Sequence, residues 1–244
     1  MLNTHTSRLR FGAVALTVLL AACSNDSNNS SAPVTPTPPP EPTPVNFSYD
    51  VTVTNLTNAQ PLSPIAVILH REGNLWTLGE SASTALEEMS ESGDNSSLRT
   101  LALVMAQTSG DAPLVPGASE TLSITIADVS DSQLSLATML VNTNDAFTGL
   151  DARDLSNMEV GDTWSVNAAA YDAGTEANSE AAGTIPGPAD GSDGSGFNAE
   201  RDDVDFVGRH QGVVTSDDGL STSVLNAEHT FDNPVLRLSV TRTE

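Results

Sequence analysis

Two short acidic segments carry the residues whose types and spacing are best suited to chemistry. One runs over 142–147 as Asn-Thr-Asn-Asp-Ala-Phe, and the other runs over 171–176 as Tyr-Asp-Ala-Gly-Thr-Glu. Ca²⁺ takes roughly six to eight oxygen ligands from carboxylates and carbonyls on a backbone that curls around the ion. Gly174 allows the second segment to bend, so that Asp172 and Glu176 can face one point. This pattern indicates a calcium-binding turn, although its spacing is not that of an EF-hand loop.

Both acidic segments follow stretches in which apolar and polar residues alternate, which is the period of a half-buried strand. The alternation is strict over 47–54, where Phe, Tyr and two Val residues are separated by Ser, Asp and Thr. Further alternating or short apolar runs occur at 65–69, 122–126, 134–140, 164–170 and 235–240. Six strands with long connections predict a mostly β fold, a β-sandwich.

Two stretches at 84–93 and 98–105 depart from this pattern and predict a short helical hairpin. Thr84 and Glu87 have the spacing of a capping box, and Gly93 is a typical helix stop. Apolar residues then recur at helical spacing at Leu98, Leu101, Ala102 and Met105. We expect the hairpin to pack beside the sheets.

The first 22 residues have the organisation of an export signal. Arg8 and Arg10 precede an apolar run over 11–20, and Ala21-Ala22 stand immediately before Cys23. The run is too short for a membrane-spanning helix, which needs about 20 apolar residues. The string Leu20-Ala21-Ala22-Cys23 resembles a lipobox, the bacterial lipoprotein motif. We therefore expect a lipoprotein signal peptide over 1–22 and lipidation of Cys23, the single cysteine of the chain.

Residues 23–45 are rich in Ser, Asn, Pro and Thr, a composition typical of a flexible tether. The tether predicts that a domain over 46–244 is held at some distance from a membrane through its N-terminal lipid. Ser24 stands where an aspartate would mark inner-membrane retention in many Gram-negative bacteria. The resemblance to such lipoproteins implies a cell-envelope protein anchored in the outer membrane, either periplasmic or surface-exposed.

The charge of the chain limits its partners. There are 9 Lys+Arg, all of them Arg, against 32 Asp+Glu, which gives a formal net charge of -23. Such a surface repels nucleic acid and attracts divalent cations. With one cysteine the chain forms no internal disulfide.

Several strings resemble the spondin domain family, spondin N-terminal type, which occurs in animal matrix proteins and in bacterial secreted proteins and lipoproteins. The resemblance covers nearly all of the chain from Phe47 to about Val240. The strings that carry it are Tyr49-Asp50-Val51-Thr52-Val53-Thr54-Asn55-Leu56-Thr57, Pro61-Leu62-Ser63-Pro64 with His70-Arg71, Leu136-Ala137-Thr138-Met139-Leu140-Val141 with Asn144-Asp145-Ala146-Phe147, and Tyr171-Asp172-Ala173-Gly174-Thr175-Glu176.

This resemblance implies a C2-like antiparallel β-sandwich that holds one Ca²⁺ ion in the loops at one end. The metal carboxylates of the family match Asp145, Asp172 and Glu176, and the last position is an aspartate in animal members. We expect a binding or adhesion module that uses the loop end as a recognition surface, with an extracellular matrix polymer, a cell-envelope component or another protein as its partner. The sequence predicts neither the identity of that partner nor the oligomeric state.

Two other function classes are compatible with the residues. In a purely structural envelope lipoprotein, calcium would serve stability alone. A cryptic hydrolase would use His70, His210 or His229, but the chain has no Gly-x-Ser-x-Gly elbow, His-Glu-x-x-His motif or phosphate-binding glycine loop. We therefore predict a protein that is not an enzyme.

Two weaker patterns have ordinary explanations. The acids and glycines between Asp190 and Asp205 alternate as in calcium loops, but they fit no defined motif, so a solvated acidic loop is favoured over a second ion. Trp76 and Trp164 lie in strand-like contexts, where a role in the core is commoner than a sugar-binding platform.

Replacing Cys23 by serine should abolish lipid attachment, because a hydroxyl does not form the thioether. The full chain, expressed in a Gram-negative bacterium fed labelled palmitate, should incorporate label and sediment with the membranes. The Cys23→Ser variant should remain unlabelled, and Ser24→Ala should behave as the parent does. Label on the serine variant would contradict the lipobox.

Overall fold

The structure, a computed structural model, describes residues 41–191 and 196–244. The predicted signal peptide over 1–22, the lipidation site Cys23, the tether up to residue 40 and residues 192–195 of the acidic loop lie outside the described residues. Thr43–Glu244 form one compact unit. No helix within the described ranges is long and apolar enough to cross a membrane.

The described residues form ten strands, one α-helix and four short 3-10 turns. In chain order they contain β1 (Asn46–Asn55), β2 (Ala66–His70), α1 (Thr84–Ser92), a 3-10 turn (Leu98–Thr100), β3 (Ala106–Ser109), β4 (Ser119–Ala127), β5 (Gln133–Met139), β6 (Ala146–Asp154), β7 (Thr163–Ala168), β8 (Ala170–Asp172), a 3-10 turn (Pro188–Asp190), β9 (Gly208–Arg209), 3-10 turns (Ser216–Asp218 and Ala227–His229) and β10 (Leu236–Arg242). The predicted mostly β fold is confirmed.

The four-stranded sheet has the order β4-β1-β10-β7, and all its pairings are antiparallel. The period-two alternation of β1 turns Tyr49, Val51 and Val53 inward, where they are buried. Leu238 and Val240 of β10 join them on the same face. This inward face forms one wall of the main hydrophobic core.

The second sheet has six strands in the order β3-β2-β5-β6-β8-β9, again antiparallel throughout. Every residue of β2 is buried, which confirms the buried strand predicted near 65–69. Val67 and Leu69 face the core between the sheets, while Ile68 faces a second apolar cluster with Met89 of α1. This sheet is therefore covered on both faces.

The structure corrects the predicted helical hairpin. Its first half is α1, but the N-cap is Ser83, whose side chain accepts a hydrogen bond from the Leu86 amide at 3.2 Å. Gly93 ends the helix as predicted, in the left-handed conformation at φ 75°. The second half is a single 3-10 turn, because the chain leaves helical geometry to form β3, which pairs with β2.

The segment predicted as one strand over 164–170 is two strands. The strand is interrupted between Ala168 and Ala170. As a result, β7 belongs to the four-stranded sheet and β8 belongs to the six-stranded sheet. Three more strands, β3, β6 and β9, were not predicted. Two of them are four residues or fewer, and the first residues of β6 fall in a segment read as an acidic loop.

Leu136 tests the main core. It lies on β5, is 0% exposed and packs between the sheets. Leu136→Ala should lower the free energy of unfolding by about 2–5 kcal/mol, since it removes buried apolar volume and leaves a cavity. Urea denaturation measures the change.

The matched control is Leu78→Ala, because Leu78 is 52% exposed. That variant should change stability by no more than about 0.5 kcal/mol. Equal losses at both positions would contradict the assignment of Leu136 to the core.

Candidate functional site

Strand pairing brings the two acidic segments together at one end of the six-stranded sheet. Asp145 immediately precedes β6, and Asp172 is the last residue of β8. These strands pair antiparallel with Ala146 opposite Asp172. The two aspartates are therefore neighbours across the sheet, although 27 positions separate them in the chain (172 minus 145).

The Asp145 carboxylate is fully buried, with 0% exposure. Its Oδ2 accepts hydrogen bonds from the amides of Thr175 and Glu176 at 2.8 and 3.1 Å, and from the Thr175 hydroxyl at 3.2 Å. Its Oδ1 has no hydrogen-bond partner among the described residues. One oxygen thus fixes the 172–176 turn, and the other is an unsatisfied buried acceptor, which costs free energy.

Electrostatics at Asp145 disfavour the ionised form. Burial raises the pKa of Asp145 to about 7, and the charge of Asp172 adds to this effect. The hydrogen bonds donated by Glu176 and Thr175 oppose it but do not cancel it. A cation next to this carboxylate would stabilise its charged form.

Asp172 is held by its own turn and by a short polar chain. Its Oδ1 accepts from the Gly174 amide at 2.8 Å, and its Oδ2 accepts from Asn178 Nδ2 at 2.7 Å. His210 Nδ1 accepts from the Gly212 amide at 3.0 Å, so that Nε2 carries the proton and donates to Asn178 Oδ1 at 3.1 Å. Burial lowers the pKa of His210, which Asp172 partly offsets.

Three further carboxylates lie around this pair. Burial raises the pKa of Glu176 to about 7, and Glu91, Asp145 and Asp202 raise it further. Burial also raises the pKa of Glu91, whose Oε1 has no hydrogen-bond partner among the described residues. We name these residues the loop-end acidic cluster: Glu91, Asp145, Asp172, Glu176 and Asp202.

The chain from Asn198 to Val207 closes over the 172–176 turn. The amides of Asp202 and Asp205 donate to the carbonyls of Thr175 and Gly174 at 3.1 and 2.8 Å. Gly174 has φ 71°, and a Cβ there would collide with the Phe206 backbone, so the position requires glycine. This confirms the predicted bend and explains the close approach of the two segments.

Arg201 fastens the same segment to α1. Its Nε and Nη2 donate to the two carboxylate oxygens of Glu87 at 3.0 and 2.6 Å, and Nη2 also donates to the Ala82 carbonyl. Glu87 therefore serves this ion pair rather than the capping box that the sequence predicted. Asn198 donates its amide to Glu91 Oε2 at 2.8 Å, which ties the segment to the acidic cluster.

The structure brings the predicted residues Asp145, Asp172 and Glu176 to one end of the sheet, together with Glu91, which the sequence analysis did not single out. A signal was present, because Glu87 and Glu91 stand four residues apart on one helix face, where like charges repel. Arg201 neutralises Glu87, while Glu91 is 1% exposed and points into the cluster. Asp202, considered for a second calcium loop, instead lies beside Glu176, and its Oδ1 accepts from the Ala177 amide.

The three histidines considered for a hydrolase each lie in a separate hydrogen-bond network. His70 Nδ1 contacts the Glu72 carbonyl at 3.0 Å and Nε2 contacts Ser135 Oγ at 2.8 Å, so its ring fastens a loop. His229 Nδ1 accepts from the Asn226 amide in a 3-10 capping box. All three histidines, His210 included, are buried.

Both tryptophans pack against the cores, as predicted. Trp76 meets Phe147 edge to face with ring centroids 5.1 Å apart, and it also contacts Tyr171. Trp164 lies beside the main core, with the Arg153 guanidinium 4.3 Å above its ring.

Within residues 41–191 and 196–244, no three His, Cys, Asp or Glu side chains already converge as a finished metal ligand set. Both oxygens of Asp172 and one oxygen of Asp145 accept hydrogen bonds from protein donors. Asp145 Oδ1 and Glu91 Oε1 are the two oxygens of this cluster that are buried and accept no hydrogen bond from the described residues.

Two antiparallel sheets packed around a shared core define the class of β-sandwich domains. The Spondin_N family model matches residues 56–184, which is more than half of the chain. The chain is therefore a member of the spondin N family, whose domains indicate an extracellular or secreted protein with a binding or adhesion role. None of the curated proteins matches the chain closely enough to count as a relative.

The raised pKa values of Asp145 and Glu176 predict how metal-free stability depends on pH. The unfolded chain ionises these groups near their ordinary values of 3.8 and 4.5, whereas the folded protein holds the protons up to about pH 7. The free energy of unfolding should therefore fall as pH rises through this window, by roughly one to a few kcal/mol. Urea denaturation in chelator at about pH 5 and about pH 8 measures the fall.

Asp145→Asn should make this pH dependence shallower, because the amide does not ionise. Glu159→Gln is the control, since Glu159 is exposed and lies outside the cluster. Metal-free stability that rises between these two pH values would contradict the assignment.

Proposed function

We propose that this protein is a lipid-anchored cell-envelope module whose spondin domain binds one Ca²⁺ ion and uses the ordered loop end to recognise a ligand. The observation that carries the calcium proposal is Asp145 Oδ1, a buried carboxylate oxygen that lies beside other carboxylates and has no hydrogen-bond partner in the described part of the chain. Ca²⁺ prefers such oxygens.

The chemistry of the donor groups supports this proposal, because the side chains of the cluster all offer carboxylate oxygens. Asp145, Asp172 and Glu176 are the carboxylates that would hold it, and Glu91 adds a fourth with an unpartnered oxygen. Without a cation, the cluster places five acids in a partly buried space, and its neighbour Arg201 is already paired with Glu87 and Asp205. A divalent ion relieves this repulsion and satisfies oxygens that hydrogen bonds leave open.

Calcium would also join parts of the chain that are distant in sequence. Asp145 immediately precedes β6, Glu91 lies near the end of α1, and the 172–176 turn carries Asp172 and Glu176. The segment from Asn198 to Val207 covers that turn. An ion at this place would hold all four segments in one arrangement, which supports a pre-organised recognition surface.

The anchor follows from the N-terminal sequence. The lipobox at Cys23 supports lipid attachment, and Ser24 supports the outer membrane as the destination. The role proposed is binding or adhesion rather than catalysis, because the buried histidines are engaged in structural contacts. The ligand would be a component of an extracellular matrix or of the envelope.

A structural role for calcium is the second candidate, since the same cluster links α1 to the loop end. The two candidates differ in whether a ligand is bound. Pull-down with matrix and envelope fractions, with Ca²⁺ or with chelator, separates them. A calcium-stabilised protein that captures no ligand would support the structural role.

Calcium should raise the melting temperature of the full chain. Saturation at about a hundred times the Kd corresponds to about 2.7 kcal/mol of added stability. Asp145→Asn should abolish this shift, because it removes the free carboxylate oxygen, and Glu91→Gln should reduce it. Differential scanning calorimetry with Ca²⁺ against chelator measures the shift.

Glu159→Gln is again the matched control and should leave the shift intact. The calcium proposal fails if the parent protein melts at the same temperature with and without Ca²⁺. It also fails if Asp145→Asn retains the full shift.

A further inference from the structure

The outward face of the four-stranded sheet is made almost entirely of hydroxyl side chains. On β4 the outward residues from Ser119 to Thr125 are all Ser or Thr, and they alternate with residues turned inward. On β1 they are Ser48, Asp50, Thr52 and Thr54. Strands β10 and β7 continue the pattern with outward Ser and Thr residues.

These hydroxyls form pairs across the strands. Between β1 and β4, Thr52 pairs with Thr121 and Thr54 pairs with Ser119, each at 2.8 Å. Between β7 and β10, the corresponding pairs are 2.9 to 3.0 Å long. In each pair one hydroxyl donates its O–H to the other. The O–H of the accepting hydroxyl and the remaining lone pairs of both oxygens are left for a ligand. The sheet therefore presents ordered groups that both donate and accept hydrogen bonds.

A shallow depression lies on this face, with a cavity volume of about 310 Å³. Arg237 of β10 lines it together with Ser165 and Asn167 of β7. Among the residues that the structure describes, no carboxylate is within ion-pair distance of the Arg237 guanidinium. The N–H donors of the Arg237 guanidinium are therefore available to a ligand, next to the Asn167 amide and the Ser165 hydroxyl.

The charge of this face differs from that of the whole molecule. The chain has a formal net charge of -23, yet the outward positions of the four strands carry one acid, Asp50, and one base, Arg237. Glu244 follows β10 at the margin and accepts from Ser48. The face is therefore close to neutral, which matches an uncharged partner and disfavours an anionic polymer.

We propose that this hydroxyl face binds a neutral polysaccharide. Vicinal hydroxyls of an uncharged sugar both donate and accept, as the face does, and the fork of Arg237 fits two neighbouring oxygens. The four strands span roughly 15 Å, and six residues of strand extend about 20 Å, which is room for a few sugar units. This site is separate from the loop-end acidic cluster and does not depend on calcium.

Affinity electrophoresis of the full chain in native gels tests this proposal. Glucomannan and dextran serve as neutral probes, and alginate serves as the anionic probe. We expect retardation that grows with the concentration of at least one neutral polymer and is unchanged by chelator. Arg237→Ala should raise the Kd about tenfold or more, because the variant loses a hydrogen bond from a charged donor.

Two more variants test the chemistry of the face. Arg237→Lys should lose binding as the alanine variant does, because lysine keeps the charge but lacks the fork. The double variant Thr52→Val and Thr121→Val should also bind more weakly, and valine suits a strand, so the fold is preserved. Thr100→Val is the control, because Thr100 is exposed but lies in the 3-10 turn after α1.

Three results would overturn the proposal. They are the absence of retardation in both neutral polymers, retardation in alginate alone, and loss of retardation in chelator, which would move binding to the loop end. A fourth result, full binding by Arg237→Lys, would show that the guanidinium fork is not required, and it would also overturn the proposal. A calcium shift in melting temperature would stand in each of these cases, so failure here leaves the calcium proposal intact.

Discussion

The burial of the Asp145 carboxylate is the interaction on which the loop end depends. One oxygen gathers the amides of Thr175 and Glu176, and this fixes the turn that follows β8. The other oxygen is buried and accepts no hydrogen bond from any residue within 41–191 and 196–244. Natural proteins rarely leave such an acceptor open, because its desolvation is not repaid. The proposed cation site rests on this oxygen.

The rest of the loop end is built around that turn. The segment from Asn198 to Val207 lies against it through backbone hydrogen bonds, and Arg201 ties the segment to Glu87 of α1. Gly174 permits the contact, since a side chain there would meet the Phe206 backbone. The hydroxyl face of the other sheet needs no such arrangement, because strand register alone orders it.

Local periodicity accounts for the parts of the fold that the sequence predicted. The alternation along β1 and β4 indicates strands that are buried on one face. The apolar run of β2 indicates a strand that is buried on both faces. The same reasoning failed where pairing partners decide the structure. Helical spacing near Leu98 was overridden when β3 paired with β2, and the apparent strand over 164–170 is divided between two sheets.

The sequence by itself determined the family strings, the excess of acids and the two acidic segments that contain Asp145, Asp172 and Glu176. It did so because residue type and short-range spacing are local properties. Only the tertiary structure decided that Glu91 joins these carboxylates, that Asp202 lies beside Glu176 and that Arg201 is already committed to Glu87. Those relations join residues far apart in the chain, and their geometry exists only after the sheets pair and the loops pack.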